Sequence, residues 1–471
     1  MTVGFQAVVL AGGMAKRFGV LNADDMPKSM IPVGNRPLLS YSLDALEAAG
    51  FTDILLMMCG DAAARGVARL VDSYSARMRI QVVTSPEESG TAQALRSVQD
   101  RLLADNILIV SGDLICDGAA GLLVKAHLSR HAPSASLLIG PRPQPPESGG
   151  KLKPEDYIGL CPRRSRLLFM CSGASAGKEL RVRRALLSSG GQIDLHTDLQ
   201  DAHFYIFSRK KLLSVLDAHP NMTSIKEHVL PYMARRQFSE GSGLRKKPSG
   251  AASASSSPVD AAEPRVGKGP TEDPTTSAPE TPQQQDQQEE EEEEVELGGK
   301  VGMYGELLGA GGGVEGGGVY AELVKDKYVI RVNSLDTYCD ANRDVAQPGV
   351  AAHLTGFTLS KYDNVVDKTA ELGNRTTIGP GCIVGAQCVL GDRSSIRRSV
   401  LGKGVKLANN VKIINSVVGE GAHIEEGCHV QGSVVCAGAM LGEKSSLRDC
   451  QVAAGYHVPA NIEYRSEELA N

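Results

Sequence analysis

A short apolar run, Phe5–Leu10, opens into Leu10-Ala11-Gly12-Gly13 and then Met14-Ala15-Lys16-Arg17. Paired glycines after a strand let the backbone approach a phosphate, and the amides that follow can cradle it. Arg17 and Lys28 offer positive charge to the same ligand. The order AGG…KR…PKSMIPVGNRPLL is far more specific than a glycine pair alone. Further on, Gly90-Thr91-Ala92-Gln93 opens a helix after a loop, and Ser111-Gly112-Asp113 closes the apolar run Asn106–Val110. A carboxylate just past the C-terminal end of a parallel strand is where a Mg²⁺ ligand would sit. The competing reading of Asp113 is a helix or turn cap. The candidate nucleotide site is therefore Leu10, Ala11, Gly12, Gly13, Arg17, Lys28, Gly90, Thr91 and Asp113.

Other patterns fall short. Gly173–Lys178 has a P-loop look, but its spacing is one residue short and Glu179 stands where Ser or Thr belongs. His423 and His429 read as exposed polar positions rather than catalytic bases. The 10 cysteines contain no CxxC pair, which argues for reduced, mostly buried thiols in a cytosolic protein and against zinc. No signal peptide stands at the N-terminus, and no apolar run approaches the ~20 residues of a membrane span. No basic stripe interleaved with aromatics points to nucleic acid.

The elements that must position these residues follow from the apolar periodicity. Phe5–Leu10, Asp53–Met58, Ile80–Thr84 and Asn106–Val110 read as buried strands, with amphipathic helices over Leu38–Ala49 and Ala92–Leu103. Strand and helix in this alternation predict a parallel sheet covered on both faces, over residues 1–239. From 240 to 318 the pattern stops. Ser, Pro, Gln and Gly dominate, acidic residues far outnumber basic ones, and Glu289–Glu294 are six consecutive glutamates. Such a stretch reads as a disordered acidic linker. The net charge of −5 hides this division, because the remainder is mildly basic. Residues 319–350 read as a connecting segment, with a strand at Tyr328–Val332 and a helix through Asp340-Ala341-Asn342.

Residues 351–471 carry a repeat. Ser399-Val400-Leu401, Ser416-Val417-Val418, Ser433-Val434-Val435 and Cys450-Gln451-Val452 recur every 17 residues. Three aliphatic files keep step: Leu390, Leu407, Ile424, Leu441; Ile396, Ile413, Val430, Leu447; and Leu401, Val418, Val435, Val452. Ile378 and Val384 extend the pattern upstream. Three beats per unit with glycines between them predict a parallel β-helix of hexapeptide repeats.

The phosphate-loop order and the repeat together resemble the sugar-nucleotide pyrophosphorylase superfamily, whose members join a Rossmann-like nucleotidyltransferase domain to a left-handed β-helix. A closer resemblance is to the gamma-subunit family of translation initiation factor 2B. It rests on Phe5–Val9, Pro32–Leu38, Arg166–Met170, Asp201-Ala202-His203, Thr223–Lys226, Pro231–Ser239, Arg397–Val400 and Gln431–Cys436. It covers nearly everything outside the linker. The phosphate loop departs from active enzymes: Ala15 replaces a third glycine and Lys16 a hydroxyl residue. The sugar-phosphate Glu-Lys-Pro motif is missing, with Asp156-Tyr157-Ile158-Gly159 near its place, and Asp201 is a loose fit to a second metal carboxylate.

The resemblance thus implies a vestigial nucleotide site, no catalysis and no cofactor. It implies partners in the epsilon, beta, delta and alpha subunits of the same complex and in translation initiation factor 2, and a cytosolic location without membrane or direct nucleic-acid contact. The stretch after Val452 is too short for the helical domain that carries exchange chemistry in the epsilon subunit. The alternative expectation is an active pyrophosphorylase with Mg²⁺ on Asp113.

Overall fold

The computed structural model describes residues 4–13, 18–22, 27–86, 89–130, 133–141, 156–161, 165–173, 180–183, 192–237, 294–296 and 317–470. The region read as a linker lies outside the described residues except at 294–296 and 317–318. Glu294–Glu296 pairs antiparallel with Arg181–Arg183.

The N-terminal half is built on β1 (Phe5–Leu10), α1 (Leu38–Ala48), β2 (Asp53–Cys59), α2 (Gly60–Tyr74), β3 (Arg79–Ser85), α3 (Thr91–Ser97) and β4 (Asn106–Ser111). Then come β5 (Leu114–Cys116), α4 (Ala119–Leu128), β6 (Ala135–Pro141), β7 (Asp156–Cys161) and β8 (Arg166–Ser172). β9 (Asp194–His196), β10 (Leu199–Ser208), α5 (Arg209–Ala218) and α6 (Leu230–Arg236) follow. Beyond the linker come β11 (Val319–Leu323), β12 (Val329–Arg331), α7 (Leu335–Asp344) and α8 (Pro348–Leu354).

Ten strands form one sheet in the order β9-β7-β8-β11-β6-β10-β4-β1-β2-β3. β1 runs parallel to both β2 and β4, and β2 parallel to β3. The expected all-parallel sheet holds for those four strands. It does not hold for the whole, because β10 returns antiparallel to both β4 and β6. β1 is apolar at every central position because both its faces are covered. Val8 faces a core with Leu55, Ile107 and Tyr205, while Ala7 and Val9 face another with Leu39, Leu43 and Leu56.

The segment read as a connector does more than connect. β11 inserts between β6 and β8, and β12 pairs antiparallel with β5. Chain on both sides of the linker is thus needed to complete the α/β domain.

From Val365 to Leu469 the chain winds into three parallel sheets of seven, six and six strands. The three expected files point inward, from Ile396, Ile413 and Leu447 at 0 % exposure to Leu407 at 3 %. The winding runs beyond the stretch legible as a repeat. Its first coil is 18 residues long, from Val365 to its partner Ile383, and its last carries Tyr464 where the file has Leu447. All three corners of the coils have left-handed backbone, in files such as Arg393, Asn410, Gly427, Lys444 and Asn461, or Arg398, Asn415, Gly432, Asp449 and Ser466. Beside one of these corners, Ser399, Ser416 and Ser433 are buried. The hydroxyl of each accepts the amide of the residue one coil on, at 3.1–3.2 Å. These polar groups are satisfied without water, as burial requires.

The face whose strands include Val400, Val417 and Val434 packs on the α/β domain. Those valines and Cys436 share a core with Phe18, Val20, Val33 and Tyr41, with Tyr338 of α7 and with Val345 just after it. Asn35 donates its side-chain amide to the Leu401 carbonyl at 2.8 Å, and the Gly34 amide donates to Asn342 Oδ1 at 2.9 Å.

Candidate functional site

The C-terminal ends of β1 and β4, the start of α3 and the bulged middle of β10 surround a cleft of about 840 Å³, within the usual range for small-molecule sites. The structure brings Leu10, Ala11, Gly12, Gly13, Lys28, Gly90, Thr91 and Asp113 together around it. Arg17, with Ala15 and Lys16, lies outside the described residues.

Two glycines are needed for proximity. A Cβ on Gly12 would stand 2.7 Å from Cys59 Sγ, and one on Gly90 would stand 2.3 Å from the Thr223 carbonyl oxygen. Thr91 Oγ1 accepts the Ile225 amide at 2.9 Å, tying the start of α3 to the stretch before α6.

The floor of the cleft is charged and densely paired. Asp113 sits in the turn between β4 and β5, 5 % exposed. It is a buried charge centre rather than a surface cap. The Lys28 ammonium pairs with its Oδ2, and Arg331 Nε donates to its Oδ1 at 3.1 Å. Burial alone would raise the Asp113 carboxyl, but Arg331 and Lys28 hold it well below the usual carboxylate range. Lys28 also lies over the Phe18 ring, 5.7 Å from its centre. Arg331 comes from β12, the strand supplied after the linker. Its Nη1 donates to His203 Nε2 at 2.9 Å. Burial, then the neighbouring Arg331 and Lys226, push His203 well below its ordinary value, so it is neutral and can accept that bond.

His203 adopts a left-handed φ of 53° where the register of β10 against β6 shifts. A bulge of this kind re-aims a side chain, here into the cleft. Asp201 meanwhile holds the bulge from within. Its Oδ1 accepts the His203 amide at 3.0 Å, and its Oδ2 accepts the Tyr205 hydroxyl. Burial raises its carboxyl to about 6, against the pull of Lys226 and the Tyr205 hydroxyl. Asp156 pairs with Lys226 at 2.8 Å and accepts the Asp201 amide at 3.2 Å.

These residues do not fit a divalent cation. Asp113 is already balanced by two side-chain cations, and Asp201 is committed to the bulge. Among the described residues no group of three or more His, Cys, Asp and Glu converges. Arg331, His203, Tyr205 and Lys226 were not picked out as site residues from the sequence. Arg331 left one signal, a cation inside the buried run Val329-Ile330-Arg331-Val332. His423 and His429 lie on the coil, apart from the cleft. Among the described residues no helix is long and apolar enough to cross a membrane.

Fold and site together define a class: an α/β domain of nucleotidyl transferase type joined to a left-handed β-helix. Residues 6–153 match the family described as nucleotidyl transferase, and residues 362–464 match the EIF2B subunit epsilon LbH domain. The chain is homologous to proteins named translation initiation factor eIF2B subunit gamma. It is 24% identical to that of Dictyostelium discoideum, over 86% of this chain and 88% of the relative. It is 31% identical to that of Schizosaccharomyces pombe over 51% of this chain, a match spanning 53% of that relative. The mannose-1-phosphate guanyltransferase of Emericella nidulans is 28% identical over 31% of this chain and 40% of its own length.

Proposed function

We propose that this chain is a non-catalytic subunit of the guanine-nucleotide exchange factor for translation initiation factor 2, scaffolding the catalytic epsilon subunit and contributing to the regulation of initiation. The relatives named eIF2B subunit gamma support the translation role. Its partners are then the epsilon, beta, delta and alpha subunits and translation initiation factor 2, in the cytosol.

The observation that carries the non-catalytic half is the pairing of Asp113 with both Lys28 and Arg331. A pyrophosphorylase of this fold needs that carboxylate for a divalent ion at the triphosphate; here a guanidinium stands against it. On this reading the cleft is a vestigial nucleotide site.

Affinity purification from the native cell tests the assembly. An epsilon-type subunit and the initiation factor are expected to copurify, and their absence overturns the scaffold reading. Incubating the purified chain with Mg²⁺, GTP and mannose 1-phosphate, or UTP and glucose 1-phosphate, tests the rest. No pyrophosphate release is expected. Sustained release would favour the second reading, an active pyrophosphorylase, which the resemblance to mannose-1-phosphate guanyltransferases keeps in view.

A further inference from the structure

The β-helix presents one face to the α/β domain, and among the described residues its other two faces carry exposed side chains. On one of these the strands Ser395–Arg397, Lys412–Ile414 and His429–Gln431 lie side by side, with Ile396, Ile413 and Val430 pointing inward. The outward positions of the first two strands, and the corners flanking the first, carry Arg393, Arg397, Arg398 and Lys412. All four are exposed. Among the described residues none of them has an ion-pair partner. Asp392 is the carboxylate nearest in sequence, and its Oδ1 accepts the Asn374 amide at 2.7 Å.

Adjacent strands lie roughly 5 Å apart, so these cations repel one another with no counter-charge between them. His429, on the next strand, registers that field. Burial, then Lys412 and Arg448 beside it, lower its basicity.

We infer that this face, centred on Arg397 and Lys412, is a docking surface for an acidic, extended segment of a partner protein. Charge complementarity sets the sign of the partner. Two features favour protein over nucleic acid. The outward positions Ser395, Arg397, Lys412, Ile414, His429 and Gln431 offer no aromatic ring on which bases could stack. The next coil then carries Glu425 and Glu426 at the corner before His429, which would repel a phosphate backbone running on along the axis. A short segment with carboxylates on one side repeats every ~7 Å when extended, and so matches a patch two strands wide.

The surface is independent of the cleft and of the proposed assembly. It is tested by fluorescence anisotropy of the full chain with a short fluorescein-labelled glutamate-rich peptide. Arg397→Glu combined with Lys412→Glu is expected to weaken binding by about tenfold or more, with an unchanged unfolding midpoint because both side chains point outward. Arg65→Glu with Arg69→Glu on α2, also exposed, is expected to leave binding as it is. Equal binding by the first variant, or equal loss in the second, overturns the proposal. So does a single-stranded RNA of matching charge that binds more tightly than the peptide and displaces it.

Discussion

Arg331 decides what Asp113 can do. In Arg331→Met the guanidinium is replaced by an apolar chain of similar length, and Asp113 keeps Lys28 alone. Breaking a buried pair in this way is expected to cost about 3 kcal/mol in urea unfolding. Arg331→Asp instead sets two carboxylates facing each other beside Lys28. It is expected to take up Mn²⁺, read as loss of the free-ion paramagnetic resonance signal, where the parent chain does not. If both behave alike, the guanidinium is not what bars the ion.

Acid titration reaches the same network by another route. Asp201, raised to about 6, contributes stability that is complete below the unfolded value of 3.8 and is lost as pH rises through 6. His203, held low, and His127, lowered to about 4 mainly by burial, contribute above 6.5 and lose that contribution as pH falls. The two trends oppose each other between pH 4 and 6.5. In Asp201→Asn the carboxylate's share is gone, so unfolding free energy should fall more steeply from pH 6.5 to 4.5 than in the parent chain. An identical slope would place the Asp201 titration elsewhere. The loop glycines, Lys28 and Asp113 were legible because they lie in one consecutive order near strand ends. Arg331 was not, because it reaches the cleft from across the linker, and neither composition nor period records that return.

At the level of elements, the periodic parts were the readable ones. β1, β2 and β4 follow from apolar runs bounded by turn residues, and the coil from its three aliphatic files. β10 was hidden because its bulge at Asp201–Tyr205 breaks the alternation that marks a strand, and β11 because five residues after a glycine-rich stretch carry little pattern. The files make a further prediction. Ile413→Ala, at 0 % exposure, should cost about 2–5 kcal/mol in chemical denaturation. Val389→Ala, on the outer surface of the preceding coil and 42% exposed, should stay within about 0.5 kcal/mol. Similar losses at both would mean the inward and outward sides are misassigned.

Across the whole molecule, the α/β domain and the coil share one apolar seam. Phe18 belongs to it while also lining the cleft, and Cys436 Sγ donates to the Val20 carbonyl at 3.7 Å. A seam of this kind should make the two halves melt together. Val417→Asp with Val434→Asp places two carboxylates in it without touching either half's own core. Calorimetry is expected to resolve one transition in the parent chain and two in the variant. A single transition in both would show that the union does not depend on these valines.

The 17-residue winding also constrains how such a chain can change in length. Each coil hands its successor the same three inward positions, and three successive coils set Val400, Val417 and Val434 toward the α/β domain. Adding or removing one complete turn moves every later residue to an equivalent seat. Adding or removing any other number rotates the remainder, so that aliphatic side chains face water and serine hydroxyls lose their amides. The β-helix can therefore be shortened or extended in whole steps, as a screw is advanced by its pitch. Removing residues 400–416 as a block would seat Val417 and Val434 where Val400 and Val417 now lie, and would bring Gln451 to the present seat of Val434.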